Sequence, residues 1–525
     1  MKPQTLHDLL AARRDAAGNL VDRDTPMTYA ALEAESARLA QGLTALGVKH
    51  GDRVAIWLPN VPSWLACFFA CARLGAIAVA VNTRFRSAEL ADILSWAGVK
   101  VLFMWPGYRD IDFAGILASV DSAALPSLTT IVVYDETPAS EPLPAVHGKR
   151  VVSYRDLTAS ARRASNNARA EDGCIIFTTS GTTKAPKFVL HSHAGIIRHA
   201  GDIASAFGID APDACSLLTV PLCGVFGFCL ALATLHAGRR LVMLPSFEAR
   251  ATAEAIRRHR VTHTLAVGDI VAQLLRISDE ERPYPSLRMV IGARHGQAAP
   301  AERRGLHLVG VYGSSELQAM LSRQASSAAP EQRELGGGAM IAPEAKVRAR
   351  DPLTGEVLPD GAQGELEFQA PSRMMGYFGD PQATRAAFTE DGYFRSGDLG
   401  YTVPGGYIFV ARMGDALRLS GFLVNPLEIE AVIDQHPAVA ASQVVGIDGP
   451  RGLQPVAFVI PSKHVALDEA EVIAYCRERI AHYKVPARIM SLDAFPVTPS
   501  PNGNKVQKAR LRELAQQALN GLREG

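Results

Sequence analysis

The amino-acid sequence predicts an α/β protein with a large N-terminal domain of doubly wound mixed sheets plus a small β subdomain, then a small α+β C-terminal domain. Three observations predict it. Apolar runs of strand length alternate with helical patterns over the first hundred residues. Short β-type runs separated by Gly and Asp occupy 355–410. After Arg412 the pattern becomes helix, strand, strand, helix over about 110 residues, enough for a separate unit. The domains are therefore expected at 1–414 and 415–525.

Each element has a local reason. Leu32, Leu39, Leu43 and Leu46 recur at helical spacing, and Gly47 follows where a C-cap is wanted. The run 54–58 is of strand length. A helix at 64–74 after Pro62, a run at 76–81, a helix at 87–97 and a run at 99–104 continue the alternation, which implies a parallel sheet covered on both faces. Residues 137–172 turn Pro-, Ser-, Ala- and Arg-rich and read as a surface connection. The runs 364–368, 392–395 and 407–410 suggest antiparallel strands. A helix at 428–435, strands near 442–447 and 456–460, and a helix at 468–482 complete the chain.

Composition narrows the function. The chain has 525 residues, 48% of them apolar and 20% charged, too apolar for disorder and too long for one core. Its 54 Lys and Arg nearly balance 53 Asp and Glu, leaving no overall field to draw it to nucleic acid or anionic lipid. Seven scattered cysteines without a CxxC pair fit a reducing compartment rather than a disulfide framework or zinc site. Residues 1–14 carry no apolar run of signal-peptide length, so the chain reads as unexported and cytoplasmic. The stretch 214–238 lacks Asp, Glu, Lys and Arg, but Pro221, Gly224 and Gly227 interrupt it. It reads as a buried strand, loop and helix lining a pocket rather than a membrane span.

The segment Thr178-Thr179-Ser180-Gly181-Thr182-Thr183-Lys184-Ala185-Pro186-Lys187 follows the apolar run 174–177. Hydroxyls, a glycine and two lysines in a loop after a strand supply short donors, close backbone approach and positive charge, which a polyphosphate needs. It is not a Walker loop, because GxxxxGK[ST] is absent. A Ser/Thr-rich turn is the plainer alternative. Tyr312-Gly313-Ser314-Ser315-Glu316 follows the apolar run 306–311, and a carboxylate at the end of a parallel strand, with the Ser315 hydroxyl beside it, can hold Mg²⁺ on phosphate oxygens. Gly392–Asp398 puts one acid in a glycine-containing turn, where it can take both ribose hydroxyls.

In chain order these segments are followed by Ala411-Arg412-Met413-Gly414-Asp415, by Ser420-Gly421-Phe422 with Glu428 and Glu430, and by a segment from Pro501 through Lys505 to Lys508. Over 28–514 the chain resembles the adenylate-forming superfamily of acyl-CoA synthetases, coumarate-CoA-type ligases, luciferase-like enzymes and peptide-synthetase adenylation domains. The resemblance implies that Thr179, Ser180, Gly181, Thr182, Thr183, Lys184 and Lys187 grip ATP phosphates. It implies that Glu316 binds Mg²⁺, that Ser315 contacts the α-phosphate, and that Tyr312, Gly313 and Ser314 belong to the nucleotide site. It further places ribose on Asp398 with Arg412, adenine and acyl group against Gly292 and Ala293, and the substrate carboxylate on Lys505. By the same resemblance the C-terminal domain is mobile about Asp415, and Ser420, Gly421 and Phe422 line the thiol channel.

Three positions depart from the superfamily pattern. Lys184 and Phe188 stand where glycine is usual. Gly224 stands where an aromatic gate is usual, so either Phe226 or Phe228 fills the space or the acyl pocket, with Cys223 and Gly227, is wide. Only nineteen residues separate Gly292 from Tyr312. His193 matches a family histidine and His191 lies two residues before it; either can cap or pack.

The expected activity is that of an acid–thiol ligase using ATP, Mg²⁺ and coenzyme A. The segment 217–235 offers no acid to pair a substrate ammonium, which directs the expectation to apolar, aryl, fatty or polycyclic acids. The alternatives are transfer of the acyl group to a carrier protein, adenylation alone, a nucleotide-binding sensor that has lost catalysis and, last, a membrane transporter of acyl chains.

Overall fold

The computed structural model describes residues 3–106, 108–109, 111–135, 146–159, 166–179, 187–267, 269–292, 296–415, 417–419, 422–449, 452–463, 465–500 and 503–521. The chain divides into two compact units: 1–347 with 368–394 and 405–407, and 348–367 with 395–404 and 408–525.

The first unit is built on two sheets. In one, the strands run in the order Gly376–Tyr377, Lys187–Ser192, Gly173–Thr179, Ile77–Ala80, Arg53–Trp57, Val99–Met104, Thr130–Val133 and Arg150–Ser153. All run in one direction except Lys187–Ser192, which is antiparallel to both its neighbours, Gly173–Thr179 and the edge strand Gly376–Tyr377. The other runs Leu308–Val309, Met289–Ile291, His263–Leu265, Cys215–Leu218, Arg240–Met243, Asn19–Asp22 and Thr25–Thr28, parallel but for the last hairpin strand. Helices Pro62–Leu74, His193–Ala206 and Val225–His236 contribute to one apolar core with residues of both sheets, among them Trp64, Phe68, Ile196, Phe228 and Leu230. Pro62 sits at the start of its helix, where its missing N–H costs nothing, and Gly75 ends the helix in a left-handed conformation.

Several expectations shift in detail. The 137–172 connection contains strand Arg150–Ser153 and helix Tyr154–Thr158, because Val151 and Val152 extend the sheet edge and Ser153 caps the helix. The uncharged stretch resolves into strand Cys215–Leu218 and the twelve-residue helix Val225–His236, and among the described residues no helix is long and apolar enough to cross a membrane. The apolar run before Tyr312 splits at Gly310. Leu308–Val309 is parallel to its neighbour, whereas Val311–Tyr312 pairs antiparallel with Ser322–Arg323. Glu316 therefore follows a short antiparallel strand, not a parallel one.

The second unit holds most of strands Gly406–Arg412, Phe394–Val403, Gly364–Gln369 and Lys346–Arg350, which lie side by side in that order. Hairpin Leu417–Leu419/Phe422–Val424, helix Pro426–Ile433 and a sheet of Val439–Gly449, Gly452–Pro461 and Arg488–Ser491 follow. Helices Glu469–Arg477 and Lys508–Gly521 complete it with hairpin Val497–Ser500/Gly503–Val506. Leu419, Ile429, Val444, Val459, Val472 and Cys476 form a core of its own.

Candidate active site

Thr179 and Lys187 are the last paired positions of two antiparallel strands. Ser180, Gly181, Thr182, Thr183 and Lys184 lie outside the described residues. Strand alternation sends Lys187 and Phe188 to opposite faces. Phe188 is buried in the core, stacked at 6.2 Å on Trp96, which accounts for a large side chain where glycine was expected. Lys187 instead holds its Nζ 4.7 Å from the centre of the Tyr377 ring. Tyr377 is carried there by Gly376–Tyr377, which extends the sheet beside Val189. Its hydroxyl donates to Glu316 Oε1 at 3.0 Å. Lys187, Tyr377 and Glu316 thus converge from three distant parts of the sequence.

Glu316 lies in the 3₁₀ turn Ser315–Leu317, and its carbonyl accepts from Met374 N at 2.7 Å. His191 Nε2 donates to the Ser315 carbonyl at 2.8 Å; burial depresses its pKa to about 4, so the ring is neutral at pH 7. His193, at the start of its helix, accepts Leu6 N on Nδ1, and burial likewise holds it to about 4. Of the two histidines, His193 serves packing and His191 reaches the Glu316 turn. Tyr312 is stacked on Phe368 at 5.2 Å and edge-on to Tyr407, and the Ser314 hydroxyl is buried without a partner among the described residues.

The apolar side of the site is built on helix Val225–His236 and the strand ends beside it. Gly227 must be glycine, because a Cβ there would meet Pro221 O at 2.5 Å. Gly292 has φ +103° and its Cβ would fall 2.5 Å from Ala266 O. That imagined Cβ lies 3.6 Å from the Phe226 ring, which places Phe226 beside Gly292. Phe228 is spent elsewhere, packed edge-on to Trp64, Phe68 and Phe177. Phe226 is therefore the ring available beside Gly224, which caps the helix. Burial pushes the Cys223 thiol up to about 12, so it is a packing group rather than a nucleophile. Ala293 lies outside the described residues.

In the second unit Asp398 is not in a turn. It lies within strand Phe394–Val403 at 2% exposure, and Arg412 Nε reaches its Oδ1 at 3.0 Å. Arg412 also donates to Ser396 O at 3.0 Å, so the guanidinium is fixed at two points. Asp415 and the Gly414 carbonyl both accept from Arg512 Nη2, at 3.4 and 2.9 Å. Lys505 lies on strand Gly503–Val506 opposite Thr498. Ser420 and Gly421 lie outside the described residues, and Phe422 opens strand Phe422–Val424.

Tyr377 was not singled out by the sequence. The available signal was a Gly-Tyr pair four residues before the Pro381 that opens a helix capped by Asp380.

A family model for AMP-binding enzymes matches residues 10–378, and one for the AMP-binding enzyme C-terminal domain matches 428–501. The chain belongs to the AMP-binding enzyme family. It is an acid–thiol ligase, an acyl-CoA synthetase working through an acyl-adenylate. It is 32% identical over 501 residues to an indoleacetate–CoA ligase of Aromatoleum aromaticum, covering 93% of each chain. It is also 32% identical over 514 residues to a 7a-methyl-1,5-dioxo-octahydro-1H-inden-4-yl propanoyl:CoA ligase of Mycobacterium tuberculosis, covering 94% of this chain and 95% of that one. Among solved structures, ATP-bound MatB from Rhodopseudomonas palustris superposes with a TM-score of 0.80 at 25% identity, covering 97% of this chain and 98% of that one.

Proposed function

We propose that this ligase joins an apolar, aryl, fatty or polycyclic carboxylic acid to coenzyme A at the expense of ATP, with Mg²⁺. The observation that carries the reading is the convergence of Lys187, Tyr377 and Glu316 at the end of the paired strands Gly173–Thr179 and Lys187–Ser192. A cation and a carboxylate meet there on one tyrosine, Lys187 at its ring and Glu316 at its hydroxyl, as a polyphosphate and its cation require.

The donor set suits Mg²⁺. Glu316 has one carboxylate oxygen engaged by a neutral phenol, and among the described residues no group of three His, Cys, Asp or Glu side chains could cage a metal. A cation arriving with phosphate oxygens and keeping its waters matches such a site. Bound there, Mg²⁺ would neutralise charge on the phosphates.

In the first step a substrate carboxylate oxygen attacks the α-phosphorus and the bond to the β-phosphate oxygen breaks, releasing pyrophosphate. The carboxylate is already ionised at neutral pH, so no general base is needed. Lys187 and the segment before it hold the outer phosphates, Asp398 with Arg412 holds the ribose, and Lys505 steers the carboxylate toward phosphorus. In the second step the thiol of coenzyme A attacks the acyl carbon, its proton passes to solvent, and the carbon–oxygen bond to AMP breaks. Turning about Asp415 would withdraw Lys505 and present Ser420, Gly421 and Phe422.

The acyl side supports this substrate class. Helix Val225–His236 presents buried apolar residues without an acid, so a substrate ammonium would be buried unpaired. The similar ligases are named for an aryl acid and a fused-ring acid. A screen of pyrophosphate release with ATP, Mg²⁺ and a panel of carboxylic acids tests the reading. Release with aryl and bulky apolar acids, and thioester on adding coenzyme A, is expected. Silence across the panel, or a preference for amino acids, would overturn it. Thioester on a carrier protein but not on coenzyme A would reassign the acceptor.

A further inference from the structure

Directly after the turn that carries Glu316, three consecutive non-glycine residues, Gln318, Ala319 and Met320, have φ of +60°, +49° and +38°. L-residues enter this left-handed region singly, and a run of three persists only when its surroundings over-determine it. The contacts that hold it come from two helices outside the nucleotide motifs. His199, in helix His193–Ala206, places Nε2 2.8 Å from the Gln318 carbonyl and 2.9 Å from the Ala319 carbonyl. Both partners are acceptors, so Nε2 carries the proton and shares it between them. Cys229, in helix Val225–His236, donates its thiol to the same Gln318 carbonyl at 2.9 Å. The Gln318 side chain donates to Ser372 O at 3.0 Å, and Ala319 N closes back on Ser314 O at 2.8 Å. His199 is 2% exposed, and burial holds it neutral, with its pKa near 4.

We propose that His199 is a positioning residue for the adenylation step: by clamping the left-handed run 318–320 it fixes the direction of the Glu316 carboxylate. The proposal rests on reading Glu316 as the Mg²⁺ holder. The geometry gives the clamp an evident purpose. Glu316 is two residues upstream of the strained run, its carbonyl is tied to Met374 N, and its carboxylate accepts a hydrogen bond from Tyr377. A relaxed run would swing the turn away from Tyr377 without touching any phosphate-binding residue. Packing alone does not call for an imidazole at 199, because an apolar side chain would fill the space yet withdraw the donor from the Ala319 carbonyl and leave the Gln318 carbonyl to the weaker Cys229 thiol.

The test compares His199→Leu, His199→Gln and Glu316→Gln in the full chain. Hydrogen exchange across 314–321 is read beside pyrophosphate release with ATP, Mg²⁺ and the best acid of the panel. His199→Leu is expected to speed exchange in 314–321 while sparing helix Pro62–Leu74, to raise half-saturating Mg²⁺, and to lower kcat roughly 10- to 100-fold with the KM for acid little changed. His199→Gln, whose amide can reach the same carbonyls, should restore most of both. If His199→Leu does not fold, Gln318→Met carries the decision, since it removes the single bond to Ser372 and should speed exchange at Ala319. Unchanged exchange in the folded variant would overturn the clamp. Faster exchange with unchanged kcat and Mg²⁺ dependence would overturn its role in positioning. Full activity of Glu316→Gln would instead overturn the Mg²⁺ assignment, with the exchange result still reporting whether the clamp exists.

Discussion

Glu316 and Asp398 are the two carboxylates to which the motifs point, and the protein holds them in opposite ways. Asp398 sits inside a strand, nearly inaccessible, with a guanidinium against one oxygen. Its charge is compensated by the protein itself, which suits a group that accepts hydroxyl hydrogens from a neutral sugar. Glu316 sits on a one-turn 3₁₀ helix, and its hydrogen bond comes from an uncharged phenol. Among the described residues no ion pair compensates its charge. On the proposed reading one carboxylate serves as an acceptor and the other as a cation holder, and the difference lies in the partner, not in the residue type.

The strongest way to break this contrast is to remove the charge from each. Glu316→Gln should lower pyrophosphate release by about 10³-fold, as expected when charge stabilisation on a transferring phosphoryl group is lost. Asp398→Asn should cost only about tenfold, chiefly in the KM for ATP, because an amide still accepts one hydroxyl. Steady-state kinetics at saturating acid separates the two, and equal losses would dissolve the distinction.

A second pair of variants divides the half-reactions. Lys505→Ala should depress acyl-adenylate formation by roughly 10²- to 10³-fold while sparing attack of coenzyme A on supplied acyl-AMP. Gly421→Leu should do the reverse by blocking the thiol path. Quenched-flow assays of each half-reaction decide, and parallel losses in both would show that Lys505 and Gly421 are not specific to one step.

Removing only the phenol hydroxyl is a finer cut. Tyr377→Phe keeps the ring under Lys187 but deletes the bond to Glu316, and about a tenfold fall in kcat is expected from one charge-assisted hydrogen bond. Gly224→Phe should raise the KM of bulky acids several-fold and leave short acids and ATP nearly unchanged, since added ring atoms occupy space that only large groups need. A uniform loss, together with a lower melting temperature, would mean that Phe226 already fills the gap.

Acidification should act on the Glu316 side. His191 and His199 both donate to carbonyls of that turn, and burial lowers both from 6.5 to about 4. Between these values the unfolded chain binds more protons than the folded one, so stability that is full above pH 6.5 is lost progressively as pH falls toward 4. Melting temperatures between pH 7.5 and 4.5 measure it, and a flat profile would show that these rings do not stay neutral in the fold.

How much of this was legible depends on whether a signal is local. Strand Val99–Met104 falls where the apolar run placed it, and helix Ser87–Trp96 ends one residue short of its expected limit, because periodicity and flanking breakers lie within a few residues. Strand Arg150–Ser153 escaped notice because two valines in a polar stretch carry little period. Asp398 was expected in a turn because Gly397 precedes it, yet the strand runs straight through. The least legible features are the pairings across the chain. Tyr377 meets Lys187 only because a two-residue strand adds to the sheet edge, and His199 meets Gln318 only because two elements far apart in sequence pack together. No spacing in the chain encodes either contact.

The central claim is that the carboxylate is activated on the α-phosphate of ATP. It is tested most directly by turning over an acid labelled with ¹⁸O in both carboxylate oxygens, with coenzyme A present, and weighing the products. The account predicts one ¹⁸O in AMP, carried there when the thiol breaks the bond between acyl carbon and oxygen, and none in pyrophosphate. Unlabelled AMP, or ¹⁸O in inorganic phosphate with ADP formed, would contradict it.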